Sequence, residues 1–263
     1  MLNRIDHCFA GLRSRNEKAF IAYICAGDPD LPHTVDLALA LEQAGTDILE
    51  LGIPFSDPLA DGLVNQLAAQ RALEAGATVQ GVLDCVRQIR QRSQIPIVLY
   101  TYLNPIFQFG FERFHDEANE AGVDGLLILD LPPEEEIAPA ADGPLHIRLI
   151  APTTPPERIG RICTQAAGFI YYVSREGVTG VQSDVASSLG ERVGEIRRHT
   201  NLPIAIGFGI STTEQAREVA SFADGVVVGS AIVQRIRENA TRPDFAASIR
   251  DFVAPLVAAV KNH

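Results

Sequence analysis

The chain has 263 residues and a formal net charge of −11, from 33 acidic and 22 basic side chains. So acidic a protein argues against a nucleic-acid or anionic-membrane partner, whose capture needs a basic face; an anionic small substrate would have to be attracted locally. A chain of this length buries roughly 70–75% of its unfolded surface and needs no disulfide or metal staple.

In chain order, an N-terminal helix is expected ahead of the first of eight short apolar or β-branched runs, residues 19–25. A helical pattern follows at 33–44, then a strand at 47–52, a helix at 79–91 and a strand at 97–100. The alternation continues with a helix at 111–121, strands at 125–129 and 146–150, a helix at 156–165 and a strand at 168–173. Residues 175 to about 189 fit neither period. A helix at 189–198, a strand at 203–206, a helix at 212–222, a strand at 225–228 and a further helical pattern complete the series. Unbroken apolar runs between helices signal parallel strands buried on both faces. Pro96 and Pro203 stand at strand starts, where a missing N–H costs least. No composition break divides the chain. The expected fold is α/β: a single-domain (β/α)₈ TIM barrel over 1–263, with active-site groups at the C-terminal ends of the strands.

The second strand carries the clearest chemical signal. In Thr46-Asp47-Ile48-Leu49-Glu50-Leu51-Gly52, alternation puts Ile48, Glu50 and Gly52 on one face and Leu49 and Leu51 on the other. A carboxylate on an otherwise apolar barrel face must be paired or must titrate high, because desolvating an ion is expensive. A high-titrating carboxyl is what a general acid or base needs near neutrality. The long loop that follows, residues 53–62, holds Asp57-Pro58 and Asp61-Gly62, ordinary turn pairs when taken alone. Beside Glu50, a second carboxylate gives acid and base roles two separate holders.

A phosphate signal lies across the barrel. The seventh strand runs into Gly207-Phe208-Gly209-Ile210-Ser211 and the eighth into Gly229-Ser230-Ala231, each ahead of a helix. Glycine lets backbone N–H groups approach an anion, and a helix start adds partial positive charge. Neither loop holds Lys or Arg, so amides and Ser230 would do the binding. The chain has two lysines, Lys18 ahead of the first strand and Lys261 in the C-terminal tail, so a Schiff-base aldolase lacks a nucleophile. The six histidines form no ligand pair in sequence, so no metal site is expected. Carboxylate acid–base catalysis is the class left for a phosphate-binding barrel. Scattered Cys8, Cys25, Cys85 and Cys163 read as small core residues in a reducing compartment. No leader-like start and no run of about 18 apolar residues stands in the chain, so the expected location is cytoplasmic.

Leu49-Glu50-Leu51-Gly52-Ile53-Pro54-Phe55-Ser56-Asp57-Pro58-Leu59-Ala60-Asp61-Gly62 resembles the signature of tryptophan synthase α subunits. The likeness extends through 100–105, 130–135, 151–154, 174–180 and 207–210, and so over nearly the whole chain. It implies retro-aldol cleavage of indole-3-glycerol phosphate to indole and glyceraldehyde 3-phosphate, with Glu50 and Asp61 as the catalytic carboxylates. Tyr23, Tyr102, Tyr171 and Phe208 would then shape the indole pocket, and Gly180, Gly209, Gly229 and Ser230 would hold the phosphate. Residues 175–179 would form a closing lid, with Thr179 steering Asp61. The family implies no cofactor on this subunit and no metal, and an α2β2 assembly in which indole passes to a pyridoxal-phosphate β subunit. A stand-alone indole-releasing lyase and a mainly allosteric binding subunit are the alternatives. Three departures stand out. Leu63-Val64-Asn65 replaces the usual Pro-Thr-aliphatic run, Cys25 replaces a common Thr, and the stretch between Pro133 and His146 is short.

Overall fold

The computed structural model describes residues 3–135, 143–174, 182–207 and 209–262, with the backbone alone at 182–188. Eight strands hydrogen-bond in sequence order into a closed parallel barrel, the last pairing with the first. They are β1 (Ala19–Cys25), β2 (Ile48–Gly52), β3 (Ile97–Thr101), β4 (Gly125–Ile128), β5 (Leu145–Ile150), β6 (Ile170–Val173), β7 (Ile204–Gly207) and β8 (Gly225–Val228). The expected strands are all present, with ends shifted by no more than two residues.

The described helices are α1 (Arg4–Ser14), α2 (Leu31–Gln43), α3 (Leu63–Glu74), α4 (Val79–Arg90), α5 (Leu103–Phe109) and α6 (Phe111–Ala121). They continue with α7 (Pro156–Thr164), α8 (Gln182–Arg197), α9 (Thr213–Ala220), α10 (Ser230–Asn239) and α11 (Phe245–Lys261). Strand alternation divides the apolar side chains into two sets. Ile21, Ile48, Val98, Leu127, Ile147, Ala205 and Val227 fill the barrel interior. Phe20, Leu49, Leu51, Leu99, Ile170 and Ile206 face outward against the helices. Helix α1 belongs to the interior set: Ile5, Phe9 and Leu12 pack with Phe169 and close the N-terminal end of the barrel. That leaves the C-terminal end as the mouth.

One aspartate device recurs at the closed end. Asp47, Asp124 and Asp224 each stand just before a strand, and each carboxylate accepts the N–H at or near the start of an adjacent strand: Phe20, Ile97 and Ile204, at 2.8, 2.8 and 2.9 Å. Each also holds a cation. Lys261 meets Asp47 at 2.7 Å, Arg4 and Arg90 meet Asp124 at 2.9 and 2.6 Å, and Arg197 meets Asp224 at 2.9 Å. The carboxylates thus tie neighbouring strands and an outer helix into one network, at points where unpaired strand donors would otherwise be left.

Three readings of the sequence are corrected, and one contact appears that the sequence did not show. Helix α8 starts at Gln182, so the stretch between strand six and the next helix is shorter than 175–189 implies. Val185, Leu189, Val193 and Ile196 keep the helical period, while the intervening Ser and Gly residues, weak helix formers, masked it. Lys261 is no loose tail, since it lies on α11 and binds Asp47 and Glu17. His115 and His146, 31 positions apart, meet with their Nε2 atoms 3.4 Å apart in a buried contact. Burial first, then the Arg148 charge, depresses His146 to about 4, so His146 is neutral in this contact. No group of three or more metal-ligating side chains stands among the described residues. The third correction is of omission: α3, α5 and α11 were not read as helices.

Candidate active site

The barrel mouth opens into a cavity of about 550 Å³, walled by residues from the ends of every strand from β1 to β8 except β4, which contributes through Leu129 just beyond it. Glu50 stands near the end of β2, in register between Tyr23 of β1 and Val98 of β3. It is 1% exposed, and neither carboxyl oxygen has a hydrogen-bond partner among the described residues. Burial, and secondarily the nearby Asp61 charge, push its pKa up to about 8. At neutral pH Glu50 is therefore a carboxylic acid, holding a proton over an otherwise largely apolar cavity floor.

Asp61 lies on the loop between β2 and α3, opposite in character. Both of its oxygens are held: the Tyr100 hydroxyl donates to Oδ1 and the Tyr102 hydroxyl to Oδ2, each at 2.8 Å. Tyr102 also accepts the Ala60 N–H at 2.9 Å, so one phenol fixes both the loop backbone and the carboxylate. The loop is further pinned by Gln66, whose side-chain amide donates to the Asp61 carbonyl at 2.8 Å. At the far end of α3, Arg71 grips buried Asp28 through two hydrogen bonds of 2.8 and 2.7 Å. Asp61 is thus a carboxylate on a braced loop, and Glu50 an acid buried in the barrel wall.

Aromatic rings complete the floor. Tyr23 and Tyr100 pack edge to face with centroids 5.0 Å apart, and Tyr23 and Tyr171 are both buried. Glycines make room for their hydroxyls. A Cβ on Gly52 would stand 2.6 Å from the Tyr23 oxygen, and one on Gly207 would stand 2.5 Å from that of Tyr171. Side chains at either position would expel a phenol. Leu129, Leu149, Val173 and Val227 supply the apolar remainder, a lining suited to a flat aromatic ring.

The wall after β7 and β8 is polar backbone. Gly209, with φ at +60°, and the Gly229-Ser230 start of α10 line the cavity. No side chain caps α10, so its first-turn N–H groups are left for a ligand. Among the described lining residues there is no Lys or Arg, and an anion here would meet amides and the helix dipole alone.

Of the residues singled out from the sequence, Glu50, Asp61, Tyr23, Tyr171, Gly209, Gly229 and Ser230 line this one cavity. Tyr102 does not; it stands behind Asp61 and holds it. Thr179, Gly180, Phe208 and the expected lid at 175–179 lie outside the described residues. Two participants escaped the sequence reading. Tyr100 was visible only as part of a motif, since its contact with Asp61 spans 39 positions. Arg192, on α8, donates to the carbonyls of Pro152 and Thr154 at 3.0 and 2.7 Å, fixing the wall segment after β5.

Fold and site together define a barrel enzyme with two unlike carboxyl groups at the mouth of the barrel. The model of one family, described as tryptophan synthase alpha chain, matches residues 9–256. A tryptophan synthase alpha chain from Opitutus terrae is 54% identical, over 99% of this chain and all of that one. The Geobacter sulfurreducens protein of the same name is 48% identical over 99% and 100%. Among solved structures, the Legionella pneumophila tryptophan synthase subunit alpha superposes with a TM-score of 0.91 at 39% identity, covering both chains fully. This chain belongs to the tryptophan synthase alpha chain family. It is a carbon–carbon lyase of tryptophan biosynthesis, acting on indole-3-glycerol phosphate.

Proposed function

We propose that Glu50 and Asp61 divide the cleavage of indole-3-glycerol phosphate between them, with the phosphate held at the Gly209 and Gly229-Ser230 wall. The observation that carries this reading is the buried, unpartnered Glu50, pushed up to about 8. Indole C3 must gain a proton before its bond to the side chain can break, since only then does the ring accept the electron pair. Protonated Glu50 supplies that proton. The positive charge that develops on the ring nitrogen is stabilised by Asp61, which accepts the N–H while Tyr100 and Tyr102 hold its orientation. The carbon–carbon bond then breaks and its electrons return to the ring. The adjacent hydroxyl of the chain becomes the aldehyde, and its proton goes to the Glu50 carboxylate, which ends in its starting state. The packed phenols and apolar floor exclude water from the ring.

Phosphate recognition has its own test. Crystals soaked in phosphate or glycerol phosphate should show the anion within hydrogen-bond reach of the Gly209, Gly229 and Ser230 amides. Density elsewhere, with those amides turned away, removes the assignment. Residues Thr179, Gly180 and Phe208 keep the phosphate, lid and ring-binding roles that the family likeness implies.

The reaction serves a partner on this reading. Indole passes to a β subunit that holds pyridoxal phosphate, in an α2β2 assembly in the cytoplasm, and this subunit works without a cofactor of its own. The alpha-chain character of the family supports it, as do exposed apolar side chains around the mouth: Leu59 (91% exposed), Leu63 (69%) and Phe107 (70%). No helix among the described residues is long and apolar enough to cross a membrane. Indole release from indole-3-glycerol phosphate, measured with and without a cognate β subunit, tests the whole reading. Stimulation by the β subunit is expected; equal rates favour a stand-alone lyase, and no release in either case a binding subunit.

A further inference from the structure

Besides the Glu50 carboxyl, one buried side-chain oxygen of the cavity lining has no hydrogen-bond partner among the described residues. Asn65 sits in the first turn of α3, four residues beyond Asp61, and lines the cavity. Its Oδ1 is buried and accepts no hydrogen bond among the described residues. Its neighbours on the helix do not behave this way, because Val64 joins the apolar cluster around Tyr23 and Gln66 bonds the Asp61 carbonyl. Helix α3 packs on α10, the helix that starts at Ser230. Asn65 therefore stands on the side of the mouth that runs from Asp61 toward the proposed phosphate site.

A buried amide oxygen without a donor is unfavourable and is retained where something supplies the missing bond. Turning the amide over would exchange an acceptor for a donor and leave it equally unpaired, and a hydroxyl serves either orientation. The part of the substrate that links ring to phosphate is a three-carbon chain bearing two free hydroxyls. One of them loses its proton in the reaction. The other takes no part in the chemistry.

We propose that Asn65 is a substrate-positioning residue whose carboxamide hydrogen-bonds a hydroxyl of the glycerol phosphate chain, and so selects hydroxylated substrates. The proposal rests on the reading of this cavity as the cleavage site. In the free protein the amide oxygen has no partner among the described residues; with substrate it is satisfied, and the chain is held between the ring pocket and the phosphate wall.

The test compares wild type with Asn65→Leu, which keeps the branching of the side chain and removes the polarity, and with Asn65→Gln. Two readouts are needed: kcat/KM for indole-3-glycerol phosphate, and the inhibition constant of indole-3-propanol phosphate, which has ring and phosphate but no free hydroxyl. Asn65→Leu should lower kcat/KM about tenfold to a hundredfold while changing the inhibition constant less than about threefold. It should also raise Tm, because a buried unpaired oxygen is gone; Asn65→Gln should restore part of the activity. An equal loss for both ligands would show that Asn65 merely shapes the wall, and no loss of kcat/KM would show that it touches no hydroxyl. Either overturns the proposal. Wild type that binds indole-3-propanol phosphate but cleaves no substrate would overturn the underlying reading of the cavity, and this inference with it.

Discussion

Glu50→Gln should lower the turnover of indole-3-glycerol phosphate by at least about 10²-fold, the scale of a single acid–base group, while the protein still folds. Glutamine matches glutamate in shape but has no proton to give to indole C3 and takes none from the chain hydroxyl. KM should change little, because in the free protein Glu50 holds its proton rather than a ligand. The same substitution has a signature in stability. The folded pKa, about 8, lies above the ordinary glutamate value of 4.5, so the folded state binds the proton more tightly than the unfolded chain. Stability associated with Glu50 is thus fully present below about pH 4.5 and is lost as pH rises through about 8. Glutamine cannot ionise. Glu50→Gln and wild type should therefore be nearly equally stable near pH 4.5, and the variant should lead by about 3–4 kcal/mol near pH 8. Urea unfolding at the two pH values measures the difference. A variant with near-normal turnover would remove Glu50 from the mechanism, and a stability gap independent of pH would mean that folding does not raise the Glu50 pKa.

Asp61→Asn should cost about 10²–10³-fold in kcat, the scale set by losing one preorganised electrostatic contact to developing charge. One of the Tyr100 and Tyr102 hydroxyls can still donate to the amide oxygen and the other can accept from the amide NH2, so the loop should stay braced and KM should move much less than kcat. What is lost is the negative charge beside the ring nitrogen, needed most after C3 is protonated. If the variant raised KM and left kcat intact, Asp61 would be a binding group felt equally in ground and transition states. Steady-state indole release over a range of substrate concentrations separates the two outcomes.

Much of this protein is local, and what is local could be read from the chain. The eight strands are short apolar runs between amphipathic helices, and a period of two or 3.6 is visible without knowing the neighbours. Glu50 was legible for the same reason: on a strand, alternation alone puts it on the face shared by Ile48 and Gly52, and the structure finds Ile48 inside the barrel. The glycine turns after β7 and β8 were equally plain. Helices α3, α5 and α11 were not, because α3 and α5 follow loops whose turn signals dominate and α11 carries Pro255 in its interior.

Sequence by itself settled the alternation of elements, the closed-barrel class and the placing of a carboxyl on an apolar strand face, since each depends on residues within a few positions of one another. Only the tertiary structure decided the contacts between distant segments. Tyr100 and Tyr102 reach Asp61 across 39 and 41 positions, and Asp124 gathers Arg4 and Arg90 across 120 and 34. His115 meets His146 across 31. Closing the barrel brings such segments together, and the same closure buries Glu50 and leaves it without a hydrogen-bond partner among the described residues. That desolvation is the physical reason its carboxyl holds a proton, and no spacing in the chain records it.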